Sequence, residues 1–181
     1  MPTVARPKLP SREDAIHVLE DGYAELGKLL ARLGPRDLGR SGLGGGEWSP
    51  KDLAGHLASW EERALEALVA WERDEPAPID RLFRTRSLFD INAEGVAAKT
   101  RLSYAEISRR AGRTHQELVA TIRQMSAERW NAPATTRGRR PLGHQLGRIL
   151  GGPGGVFRHA DAHLPDLRAF IEGRADRRRG L

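Results

Sequence analysis

The chain has 181 residues, of which 39% are apolar and 30% charged, and its formal net charge is +6. This length supports one domain with a core of its own. There is no cysteine, which excludes disulfides, thiolate metal sites and a nucleophilic thiol of the protein's own, so any metal must be held by His, Asp or Glu.

Residues 1–10 hold Pro2, Pro7 and Pro10 without apolar periodicity and are expected to form an extended arm. They contain no hydrophobic segment of the signal-peptide kind, and no later apolar run reaches the length of a membrane span. A cytoplasmic protein with no membrane partner is therefore expected. Ser11 is a good N-cap, and Glu13 and Asp14 favour a helix dipole. Ile16, Leu19, Tyr23, Leu26, Leu30 and Leu33 follow at helical spacing, which predicts a helix over roughly 12–33. Gly34-Pro35 ends it, and the glycine-rich stretch to Glu47 reads as a flexible connector. It lacks the Gly-Lys-Ser/Thr ending and the preceding strand of a phosphate-binding loop.

Trp48-Ser49-Pro50 opens a second helix, with Ser49 as cap and Pro50 at the first helical position. Leu53, Leu57, Trp60, Ala64, Leu68 and Trp71 form its apolar stripe, and His56 falls on or beside that stripe. The helix is expected over roughly 49–73, before Pro76 and Pro78. A loop and a short helix near 88–99 follow. Ser103-Tyr104-Ala105-Glu106 is a capping box that starts a helix to about residue 125, whose stripe includes His115. Residues 141–150 suit a short helix, and Gly151-Gly152-Pro153-Gly154-Gly155 breaks it. The last helix is expected over roughly 155–173, kinked by Pro165 just past His163. No segment reads as a convincing strand, so the fold class is all-α, a four-helix bundle over residues 11–173 with short extra helices in the connectors and a basic tail at 174–181.

The chemistry concentrates in His159-Ala160-Asp161-Ala162-His163. Two histidines four apart share one helix face and can grip one ion, because a helix sets their separation and imidazole is the commonest protein metal ligand. His56 is the candidate third ligand. Against this stands the plainer reading that a histidine on an apolar face is a core residue with a hydrogen-bond partner. His115 rivals the three as a ligand or as a group orienting one of them, and Asp52, one turn before His56, is a further candidate to accept a hydrogen bond from an imidazole. His17 and His144 look ordinary.

The phrase Glu47-Trp48-Ser49-Pro50 through His56 to Glu61, together with His159-x-x-x-His163-Leu164-Pro165, resembles the DinB/YfiT-like superfamily of four-helix-bundle metalloenzymes. The stretch from Phe89 through Glu94 to Ile107 is similar to its DfsB-like branch. The resemblance implies that His56, His159 and His163 are the three metal ligands. It also implies homodimers through helix faces, and relatives that include thiol-dependent transferases and a self-resistance hydrolase. Three histidines leave a fourth position open, the catalytic pattern for zinc, with nickel and iron also accepted by imidazole. The substrate pocket is expected beside the metal, lined by Leu57, Trp60, Leu167 and Phe170.

Three functions compete. The first is a metal-dependent enzyme, a hydrolase or S-transferase, directing water or an exogenous low-molecular-weight thiol at an electrophilic small molecule. The second is a non-catalytic small-molecule binder. The third is a nucleic-acid-associated protein. Arg137, Arg139 and Arg140 form one basic loop and Arg174, Arg177, Arg178 and Arg179 a basic tail, but no aromatic residue is interleaved with them to stack bases. No nucleic-acid partner is therefore expected.

Overall fold

A computed structural model describes the backbone of residues 10–179 and the side chains of residues 10–173. The expected arm, up to residue 9, and the side chains of the expected tail lie outside the described residues. Four long helices carry the fold: α1 (Arg12–Leu30), α3 (Pro50–Glu72), α6 (Tyr104–Gln124) and α9 (His159–Arg179). Short helices occupy the connectors: α2 (Pro35–Leu38), α4 (Pro78–Thr85), α5 (Leu88–Ala97), α7 (Ala127–Asn131) and α8 (Leu142–Ile149). No strand forms among the described residues, only isolated bridges between Pro133 and Pro141 and between Gly152 and Gly155.

The long helices start where local chemistry requires. Ser11 with Asp14, Ser49 with Asp52 and Ser103 with Glu106 each form a reciprocal capping box. Each box satisfies two backbone N–H groups that the first turn would otherwise leave unpaired.

The buried side chains form two clusters, and their membership gives the topology. One end of the bundle gathers Ile16 and Leu19 of α1, Leu68 and Trp71 of α3, and Leu118 and Ile122 of α6, closed by Leu142 and Leu146 of α8. The other gathers Leu26 and Leu30 of α1, Leu53 and Leu57 of α3, Ile107 of α6, and Leu167 and Phe170 of α9. The first half of α1 thus shares an end with the second halves of α3 and α6. Helices α3 and α6 run in one direction, and α1 and α9 in the other. The parallel pair α3 and α6 needs a long connection, which α4 and α5 supply.

Three expectations are revised. The connector after α1 is not a plain loop. Pro35 starts a helical turn, and Leu38 and Leu43 are buried and anchor the segment to the second cluster. The last helix begins at His159, four residues later than its spacing suggests. Gly155 and Phe157 both take positive φ, 118° and 62°, which is incompatible with a helix there. The helix also continues through Pro165 and into the stretch expected as a tail. Among the described residues, no helix is long and apolar enough to cross a membrane.

Candidate metal centre

Helix α3 is buried on two faces from Leu53 to Trp60. One stripe, Leu53-His56-Trp60-Ala64, carries His56 into the seam between the two clusters. Helix α9 delivers His159 in its first turn and His163 one turn later. The start of α9 is held by the backbone N–H of His159, which donates to the Leu150 carbonyl at 3.1 Å. Just before it, Phe157 is buried and stacks on Trp130 with ring centroids 5.8 Å apart.

One ligand nitrogen from each of His56, His159 and His163 lies within 4.8 Å of the others. The Nε2 atoms of His56 and His159 are 3.0 Å apart. All three rings are held neutral. Burial, then the neighbouring His159 and His163, push His56 down to about 2. Burial and then His163 push His159 down to about 4. Burial lowers His163, partly offset by the Asp166 carboxylate. Neutral imidazoles present lone pairs, which is the state a metal requires. This cluster can hold a metal ion, and its all-nitrogen donor set suits a borderline cation such as zinc.

The surroundings of the cluster differ from expectation. Asp52 does not reach His56: its Oδ2 accepts from the Ser49 backbone N–H at 2.9 Å and from Ser49 Oγ at 2.7 Å. The N-cap has first claim on that carboxylate, and the buried Nδ1 of His56 has no hydrogen-bond partner among the described residues. Aromatic neighbours flank the ring instead, Trp48 at 4.8 Å and Trp60 at 6.5 Å between centroids. His115 does not join the cluster either. Its Nδ1 lies 2.8 Å from Glu61 Oε1, and its ring stacks on Tyr23 at 4.0 Å.

A cavity of about 90 Å³ adjoins the cluster through His159. Of the four expected pocket residues only Leu57 lines it. Trp60 packs on Phe83 and donates its indole N–H to Asn92 at 3.0 Å. Leu167 and Phe170 lie one and two turns beyond His163 in the second cluster and do not line the cavity. The cavity is reached instead by the second stripe of α3, Ala54-Leu57-Ala58-Glu61, and by Tyr23, Tyr104 and Ser108. Glu61 is the residue that spacing from the first stripe misses. Its signal is the i, i+3, i+4, i+7 pattern it completes with three small or apolar neighbours. Burial, then the Glu61 charge, raise the Tyr23 phenol.

With this geometry the chain can be placed among known proteins. No curated protein matches it significantly by sequence. An uncharacterised protein from Escherichia coli UTI89 superposes with a TM-score of 0.75 at 13% identity, covering 92% of this chain and 96% of its own. The colibactin self-resistance protein ClbS, in complex with a double-stranded DNA, superposes with a TM-score of 0.63 at 16% identity, covering 93% and 98%. At these identities the likeness is one of fold. It nevertheless overturns the expectation that nucleic acid is foreign to such a chain, since this fold is found on DNA in ClbS. The basic 137–140 loop and the tail have no aromatic residue interleaved with their arginines, but a surface for nucleic acid need not lie on those segments. Finally, the sequence profile of the DinB superfamily matches residues 19–151, well over half of the chain, and the protein belongs to that superfamily.

Proposed function

We propose that the protein is a metal-dependent enzyme that directs water or a low-molecular-weight thiol at an electrophilic small molecule, in detoxification or self-resistance. The observation that carries this reading is the meeting of three neutral imidazoles from two helices within 4.8 Å. A divalent ion, zinc first and nickel or iron next, supplies Lewis-acid activation of water or a thiol at neutral pH. His56, His159 and His163 would hold it. Leu57, Ala54 and Ala58 keep bulk water from an apolar substrate beside His159. The self-resistance role of ClbS is in keeping with this reading.

The test is turnover of an electrophile panel by zinc-loaded protein, with and without glutathione, bacillithiol or mycothiol. Consumption only with a thiol identifies a transferase, and consumption without one a hydrolase. Rates equal to those of His56→Ala under both conditions contradict the enzyme and leave a small-molecule-binding protein on the same bundle.

A second reading, association with double-stranded DNA, is favoured by a separate feature. Phe89 is 80% exposed, and exposed Arg81 and Arg84 lie on the helix just before it. An exposed aromatic residue close in sequence to cations is the arrangement that the basic loop lacks. Binding to a duplex that falls steeply with salt, and weakens in Arg84→Ala and Phe89→Ala, supports it. Binding unchanged in both variants removes this surface from consideration.

A further inference from the structure

The net charge of the chain is +6, and 26 of its 30 cationic side chains are arginines (30 less Lys8, Lys28, Lys51 and Lys99). Among the described residues, none of them lines the cavity beside His159. Among the described residues its one carboxylate is Glu61, set with Tyr23, Tyr104 and Ser108 in a wall that, His159 apart, is otherwise apolar. Glu61 makes no ion pair with Lys or Arg among the described residues. Among those residues its polar partner is His115, whose Nδ1 lies 2.8 Å from Oε1. A carboxylate has no proton to give, so His115 donates, and the Tyr23 ring stacked on it at 4.0 Å fixes its plane. This clamp orients the carboxylate. The other oxygen, Oε2, makes no hydrogen bond among the described residues and is not sealed from solvent, so it is open to a ligand.

A carboxylate facing an apolar cavity is costly unless a cation or strong donor meets it. The tyrosine rings add to the same preference, because an aromatic face attracts a cation. We infer that this cavity selects a small ligand with an ammonium or other cationic N–H group, that Glu61 is the residue that recognises it, and that the apolar body of the ligand lies toward His159. This rests on the reading of the cavity as the substrate pocket and names its substrate class: an apolar electrophile carrying a basic nitrogen. His115 is a positioning residue, acting through Glu61.

Three probes of one shape test the inference: n-butylamine, n-butanol and butyrate, titrated at neutral pH into full-length protein freed of metal and followed by NMR chemical shifts. The expected result is that the amine binds about tenfold or more tightly than the alcohol and that butyrate does not bind. Glu61→Gln, which keeps an acceptor for His115, should bring the amine down to the affinity of the alcohol. His115→Phe should weaken the amine without abolishing its preference over the alcohol. Equal affinities for amine and alcohol in the wild type, a comparison that needs no variant to fold, would overturn the inference. So would an amine preference that survives Glu61→Gln, in which case Glu61 and His115 only tie α3 to α6. The zinc content of the wild type is measured separately. A protein that binds no zinc but prefers the amine defeats the enzyme reading and leaves this one standing, and the converse holds.

Discussion

At neutral pH the three clustered histidines carry no proton, and this ties the stability of the metal-free protein to acid. Free histidine titrates near 6.5, whereas His159 is pushed down to about 4 and His56 to about 2. The unfolded chain therefore takes up protons that the folded chain refuses. The associated stability is fully present above about pH 6.5 and is lost as pH falls toward 4 and below. Each such histidine contributes a slope of up to ~1.4 kcal/mol per pH unit in that window. Denaturant unfolding of metal-free protein between about pH 7.5 and pH 5 should show this loss, and His56→Leu should show a shallower one; equal slopes would contradict the burial of neutral His56. The i, i+4 pair His159 and His163 is legible in the sequence because helical spacing is a local property. Glu61 is not, because α3 buries two stripes and only the richer one stands out. The engagement of Asp52 follows from a competition between cap and imidazole that sequence spacing cannot weigh.

The elements were legible in proportion to their length and their caps. Helices α1, α3 and α6 announce themselves through Ser11, Ser49 and Ser103 and through several turns of apolar spacing. Helices α2 and α7, of four and five residues, are too short for periodicity to register. The late start of α9 depends on backbone states at Gly155 and Phe157 that no spacing reveals. Ser103→Ala should cost about 1 kcal/mol, seen as a lower urea midpoint at unchanged slope. Two glycines should behave in opposite ways. A Cβ at Gly147 would meet Phe157 Cε2 at 2.8 Å and Val156 Cβ at 2.9 Å, on the segment that leads into His159. Gly147→Ala should therefore destabilise by about 1–3 kcal/mol through overpacking and should weaken metal binding as well. Gly27, inside α1, has no such neighbour within 4 Å, and Gly27→Ala should stabilise by about 0.5–1 kcal/mol. Thermal melts of the two variants side by side, read with their zinc content, decide both.

For the whole molecule, two apolar clusters separated along the bundle leave a seam, and the histidines occupy it. An all-α bundle was legible because every long amphipathic stretch reads with a helical period. The parallel course of α3 and α6, and hence the place of the cavity, depends on packing between residues far apart in sequence. Holding α3 and α9 together at the seam, a bound ion should stabilise the fold by mass action, about 2.7 kcal/mol at a free concentration one hundred times its Kd. The most direct measurement is elemental analysis of the full-length protein after zinc reconstitution and desalting, wild type beside His159→Ala, with both shown to be folded. About one zinc per chain in the wild type and close to none in the variant is the predicted result. Equal zinc in the two proteins, or none in either, would contradict the metal centre.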